Sequence, residues 1–332
     1  MGVALALPLF AISLAATLAA ARLFVRRLDL LGVRFGLSET VIGLLTAVAA
    51  DGPELASALV ALASGQSAVS AGVVIGSNIF NIAAMVGLSA VLAGVVRVTR
   101  PALALEGTVA VLVTLIAAGV LLEALAPAVG LVLLLAVIVP YLLIVLAAGA
   151  PDSRLRLPAR LRRPLAAVLA TRGESRDPSE AHSVDHRRQL LLMGADVAVI
   201  VLGSLGMVEA AVALGGHWGV SDALIGVLIL GPLTSIPNAQ TAIRLGMLGR
   251  GEALVSETFA SNTINLLGGV LLPALFVTVA LRSENERVDL VWLGVMTAAS
   301  LLGLARRGGV GRAWGAALIA IYLGFVLSKL LA

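Results

Sequence analysis

Two carboxylates stand three residues apart in an otherwise apolar run, Asp51 and Glu54, with Pro53 between them. In a helix that spacing puts both acids on one face. If the run crosses a bilayer, each charge costs on the order of 3 kcal/mol by insertion scales. The pair then needs a cation, a proton or a basic partner, and no basic residue lies inside the apolar runs near it. Pro53 offers no backbone donor and disfavours a continuous helix, which frees carbonyls about a turn earlier, around Ala49 and Ala50. Carboxylate plus freed carbonyl oxygen is hard-cation chemistry, the ligand set of Ca²⁺ and Na⁺. A proline kink with a protonated Glu54 is the plainer alternative, but it gives Asp51 no role.

A second group of oxygens follows in Gly76-Ser77-Asn78 and Asn81. Ser77 and Asn81 are four apart, so they face the same way, either towards a ligand or as polar glue between helices. Gly76 suits close helix packing. Later come Thr234, Ser235, Pro237 and Asn238, again a proline inside a polar interruption, and then Ser261 and Asn265. Glu257 lies four before Ser261, on the same face as Ser261 and Asn265; it is either a third site carboxylate or a solvated group at an entrance. Glu106, Asp196 and Glu209 lie in or near apolar runs without repetition and read as mouth or interface residues. His182, His186 and His217 are too scattered for a metal site.

These groups are one pattern written twice. Gly36, Ser38, Ile42 and Gly43 match Gly219, Ser221, Ile225 and Gly226 at an offset of 183. After one inserted residue the offset is 184, and Pro53, Ser77, Asn78 and Asn81 fall on Pro237, Ser261, Asn262 and Asn265. Asn238 then stands where Glu54 stands. Shared polar and proline positions within apolar sequence signal an internal duplication, one copy over 36–92 and the other over 219–276.

The elements that must carry this pattern are membrane helices. The chain is 60% hydrophobic and 13% charged, with a mean hydropathy of +1.06, which excludes an ordinary soluble domain. Without cysteine there is no disulfide framework, thiolate site or cysteine nucleophile. Ten apolar segments can be drawn: 3–24, 38–62, 68–94, 101–122, 127–149, 189–214, 220–243, 252–281, 288–304 and 312–331. The first reads as a retained span, since no basic region precedes it. The polar stretch 150–188 separates two five-span halves, 1–149 and 189–332, and reads as a linker. Twenty of the 23 Lys and Arg fall in the loops after odd-numbered spans, which makes those loops and the linker cytoplasmic and both termini external. The basic pI of about 10.5 is then positive-inside bias, with no call for nucleic acid. Five spans per half is odd, so the second copy enters the membrane inverted. The expectation is an all-α polytopic membrane protein of ten transmembrane helices in two inverted five-helix repeats, with a site at the bilayer midplane.

At GSNIFNI (76–82) and the Pro53-Glu54 pair the chain resembles the cation/calcium antiporter superfamily, the sodium/calcium exchangers and their prokaryotic relatives, over nearly its whole length. The resemblance implies cation ligation by Glu54, Ser77 and Asn81, and by Thr234, Ser235, Ser261 and Asn265. It implies exchange of Ca²⁺ or a similar cation for Na⁺ by alternating access in a cell membrane, with no cofactor beyond the transported ions. The chain departs from the family pattern in having Ala50-Asp51 for Thr-Ser, Asn238 for a second acid, and FASNTIN (259–265) for a glycine-led form. Both acids therefore sit in the first half, Asp51 joining Glu54 as a metal-ligating carboxylate, while the second half offers neutral oxygens. That leaves H⁺ open as the coupling ion, because a proton relieves repulsion between the two acids as a divalent cation does. A cation channel and a non-transporting scaffold descended from an exchanger are the other classes. An enzyme is the least expected class, since there is no activated nucleophile and the acids have no general-base partner.

Overall fold

A computed structural model describes residues 1–149 and 185–331 apart from Gly36, Ser38 and Arg282. The linker over 150–188 lies outside the described residues except for its last four, as do His182 and the repeated positions Gly36 and Ser38. Twelve helices carry the described chain. In the first half they are α1 Val3–Arg34, α2 Glu39–Ala50, α3 Gly52–Ala63, α4 Ser67–Ala93, α5 Arg100–Leu121 and α6 Pro127–Gly149. In the second they are α7 His186–Trp218, α8 Asp222–Thr234, α9 Ile236–Met247, α10 Gly251–Leu275, α11 Glu284–Leu304 and α12 Arg312–Leu330. Eight of them are long and apolar enough to cross a membrane, and the bent pair α8–α9 makes a ninth such unit among the described residues.

The expected second and seventh segments are each broken in two. The break after α2 falls at Asp51, and Pro53 sits in the first turn of α3. The break after α8 falls at Ser235, Pro237 sits in the first turn of α9, and the axes turn by 47°. Proline is welcome in a first turn, where its missing N–H has no partner to lose. Both prolines thus restart helices, and the polar residues lie at the restarts.

Helix α1 runs ten residues past its expected end, to Arg34, so Arg22, Arg26 and Arg27 belong to the helix and not to the loop after it. Long basic side chains can lie along an apolar surface with their heads towards water, which lets the helix continue. Arg27 pairs with Asp196 of α7. Helices α1 and α7 lie against each other over most of their length, drawn close where Gly203 and Gly206 face Ser13 and Thr17.

Helix α4 is the axis of the molecule, buried on all sides, with Ile75, Ile79, Ile82 and Met85 among its fully enclosed side chains. It receives α8 at backbone contact: a Cβ on Gly76 would meet the Val227 carbonyl at 2.3 Å, and one on Gly226 the Val69 carbonyl at 2.4 Å. Just after their second asparagines, α4 and α10 both widen into π-helical turns, Ile82–Leu88 and Leu267–Leu271. A two-residue antiparallel pairing, Val95–Val96 with Val310–Gly311, ties the two halves at one end; the expected all-helical pattern did not include it.

Candidate functional site

The broken helices bring their restarts together beside α4 and α10. Asp51 closes the α2–α3 break, and Glu54 lies in the first turn of α3; they are 1% and 2% exposed. From the opposite repeat Asn238, in the first turn of α9, donates from Nδ2 to Asp51 Oδ1 at 2.7 Å and to Glu54 Oε1 at 3.0 Å. Ser261 on α10 donates to Asp51 Oδ1 at 2.5 Å, and Asn238 Nδ2 also reaches Ser261 Oγ at 3.2 Å. Glu54 and Asn238 occupy equivalent positions in the two sequence copies, so this contact joins one copy to the other.

Below that contact the two central helices clasp each other in matched bonds. Asn78 Nδ2 donates to the Asn262 carbonyl at 3.1 Å, and Asn262 Nδ2 returns the bond to the Asn78 carbonyl at 3.1 Å. Asn81 Nδ2 reaches Ser261 Oγ at 3.1 Å and Asn262 Oδ1 at 3.2 Å. Asn265 Nδ2 reaches Ser77 Oγ at 3.3 Å and Asn78 Oδ1 at 3.2 Å. Each bond has its counterpart 184 positions on. Polar groups buried in apolar surroundings must be bonded or pay desolvation, and here each repeat supplies the other's partners.

The structure therefore gathers Asp51, Glu54, Ser77, Asn81, Asn238, Ser261 and Asn265 into one buried network. Ser235 is buried and lies beside Glu54. Thr234 is buried at the end of α8, where its hydroxyl donates back to the Leu230 and Gly231 carbonyls. Pro53 is buried and Pro237 half-buried, each in the first turn of the helix after its break. Glu257 is half-buried one turn nearer the start of α10, at the rim.

Sequence reasoning passed over Asn78 and Asn262 as site residues. The signal was present, since both belong to the repeated Ser-Asn pairs. Glu106 is not at a mouth: it is buried between α5, α6 and α10, accepting bonds from Tyr141 Oη at 3.2 Å and Ser256 Oγ at 2.8 Å. Asp196 is an interface residue through Arg27, and Glu209 is exposed.

Several buried oxygens keep lone pairs. Glu54 Oε2, Asn81 Oδ1 and Asn265 Oδ1 take part in no hydrogen bond among the described residues. Two carboxylates with neutral amide and hydroxyl groups around them suit a hard cation and offer nothing soft. No group of three or more His, Asp or Glu poised for a tightly held metal occurs among the described residues.

Known proteins share this architecture. The solved structure of the H⁺/Ca²⁺ exchanger CAX superposes with a TM-score of 0.70 at 14% identity, over 97% of this chain and 82% of that one. The sodium-calcium exchanger NCX_Mj gives 0.63 at 20% identity, over 98% and 99%, and YfkE gives 0.65 at 16%, over 97% and 92%. A protein named as a candidate antiporter, CaxA of Alkalimonas amylolytica, is 26% identical over 135 residues, which is 39% of this chain. That match spans 41% of the relative's own length. Residues 5–150 and 189–331 match the family model described as sodium/calcium exchanger protein. With both halves covered by that model, the chain belongs to the sodium/calcium exchanger protein family.

Proposed function

We propose that this chain is a secondary antiporter that moves Ca²⁺ or a similar cation against Na⁺ by alternating access. Its site comprises Asp51, Glu54, Ser77, Asn81, Thr234, Ser235, Asn238, Ser261 and Asn265, with Glu257 at its rim. One observation carries the reading: two carboxylates at a helix break, deeply buried, contacted by the other repeat's amide and hydroxyl. A group so expensive to bury is retained where a charged cargo compensates it. The ten-span reading counts α2–α3 and α8–α9 as one broken span each, giving inverted repeats over 1–149 and 189–332 around a linker, 150–188. Arginine placement supports a cytoplasmic linker and external termini in the cell membrane.

The test is ⁴⁵Ca²⁺ uptake into proteoliposomes under imposed Na⁺ or pH gradients. Counter-ion-dependent uptake supports antiport; uptake indifferent to any counter-ion makes the chain a channel, and no uptake makes it a scaffold. Topology is checked separately in this cysteine-free chain. An impermeant maleimide should label Ser67→Cys in intact cells and leave Ser175→Cys untouched, whereas the opposite pattern inverts the orientation. A second reading, H⁺ as coupling ion, is favoured by Asn238, which replaces a possible second-half acid with a neutral oxygen. A flux that requires Na⁺ and is flat between about pH 6 and 8 removes it.

A further inference from the structure

Away from the buried carboxylates, a cavity of about 530 Å³ opens between the turn that joins α5 to α6 and the stretch that follows α10. Leu275, at the end of α10, stands ten residues past Asn265, so the cavity lies about 15 Å along that helix from the network. Its walls are mostly apolar. Val120 and Leu125 line one side, Phe276 and Val279 the other, and the polar side chains among them are Glu123 and Thr278. The apolar run continues to Leu281, yet the helix stops at Leu275 and the chain goes on in non-helical form until the Leu281 N–H meets the Leu121 carbonyl at 3.0 Å. Non-helical backbone at the edge of a bilayer turns from hydrocarbon towards protein or a cavity.

Glu123 is the residue here that the fold alone does not explain. Its φ is +57°, a left-handed conformation that belongs to glycine at the other five such positions among the described residues. The turn requires that conformation. The Glu123 N–H closes on the Val120 carbonyl at 3.0 Å and the Leu125 N–H on the Gly119 carbonyl at 2.9 Å, the bonding that ends a helix. Glycine would meet the requirement without strain, whereas a side chain adds some. What glutamate adds in return is a carboxylate in the cavity, held by no hydrogen bond or ion pair among the described residues.

A cavity of this size, with apolar walls and one negative charge, fits an apolar body carrying one positive charge. A bare metal ion is a poor match, because one carboxylate and one hydroxyl fall short of the roughly six to eight oxygens that Ca²⁺ takes. An anion or a lipid phosphate would be repelled by the carboxylate. We propose that this cavity binds an amphipathic organic ammonium ion, its charge on Glu123 and its body between the α5–α6 turn and the stretch after α10. The site does not depend on which ions the central network exchanges.

The probe is dansylcadaverine, a primary amine on a fluorescent apolar body. It is added to the full chain in nanodiscs of zwitterionic lipid, with empty nanodiscs as the blank for partition into lipid. The expected result is a saturable rise in dansyl fluorescence, with affinity at least about tenfold weaker once the probe's amine is acetylated, as for loss of a charge-assisted contact. Glu123→Gln should weaken binding of the amine by the same factor and leave the acetylated probe unchanged. Glu123→Gly should do likewise with a Tm no lower than the parent's, since glycine suits the turn, which separates loss of binding from loss of fold. Thr278→Trp, filling the cavity from its other wall, should abolish binding of both probes. Equal binding of the amine and its acetylated form, or full binding in Glu123→Gln, overturns the site. So does a signal no larger than that of empty nanodiscs.

Discussion

Helices α3 and α9 begin alike, each with a proline in its first turn after a polar break, yet they stand in different surroundings. On α3, Ser57 is fully buried: its hydroxyl donates to the Pro53 carbonyl at 2.7 Å and lies 3.4 Å from Ser204 of α7. The equivalent residue on α9, Thr241, makes the same bond to the Pro237 carbonyl at 3.1 Å but is exposed, as is Gln240 beside it. Helix α3 packs closely on α7, whereas α9 leaves α1 at a distance spanned by Arg22, which donates to Gln240 Oε1 at 2.7 Å. The pairs one helix earlier differ in the same sense. Helix α8 lies in backbone contact with α4, while α2 meets α10 far less closely. Two copies of one pattern thus hold two conformations, one face sealed and the other parted. Since α9 runs towards the arginine-rich loops, the parted face is the cytoplasmic one in the proposed orientation.

The comparison breaks most severely at the acids, all on one side of it. Glu54→Gln should lower Ca²⁺ exchange by more than about a hundredfold, because half the buried countercharge goes and a loss of about 3 kcal/mol or more is expected. Asn238→Ala removes a neutral partner and should cost about tenfold, as for a lost bond to a charged group. Both variants should elute as folded protein by size exclusion. Parental flux in Glu54→Gln would remove that residue from the site.

Next in size is a difference in access. Thr241→Cys should react with a soluble maleimide at least about tenfold faster than Ser57→Cys, from the linker side of the membrane, because local opening separates buried from exposed positions. Saturating Ca²⁺ or Na⁺ that closes the parted face should shrink the ratio. Equal rates in every condition would mean that the two halves do not alternate.

The smallest effect concerns what sets the spacing. Gly76 lets α8 approach α4, whereas its equivalent in the second copy is Ala260. Gly76→Ala places a Cβ against the Val227 backbone and should destabilise the protein by about 1–3 kcal/mol, read as a lower Tm in detergent. Ala260→Gly should cost about 1 kcal/mol, the difference in helix propensity alone. If Gly76→Ala is as mild as Ala260→Gly, the glycine does not hold the sealed face shut.

The site was legible in the sequence because polar residues in an apolar run have few innocent uses. Asp51, Glu54, Ser77 and Asn81 stood out for that reason, and repetition singled out Ser261 and Asn265. Asn78 and Asn262 were missed as site residues because each finds its partner on the other repeat, and sequence carries no distance between repeats. Most apolar segments were placed to within a few residues, as apolar length dictates, though α10 ends at Leu275, six before its expected end. The extension of α1 to Arg34 was missed, since hydropathy ends a helix where arginines begin while the backbone need not. The difference between α3 and α9 was also hidden. Duplication predicts sameness, and the difference lies in packing around identical cues.

The matched bonds between the two central helices, Asn78 with Asn262 and Asn81–Ser261 with Asn265–Ser77, differ in kind from the contacts Asn238 makes with Asp51 and Glu54. Exchanging the roles of the two repeats turns Asn78-to-Asn262 into Asn262-to-Asn78, a bond already present. Under the proposed alternating access, contacts without such a twin, like Ser57 with Ser204 or Arg22 with Gln240, are dissolved and rebuilt on the opposite side as the repeats trade places. In that proposed cycle the asparagine clasp is thus a fulcrum, a set of contacts that a full stroke leaves in place while the sealed and parted faces swing.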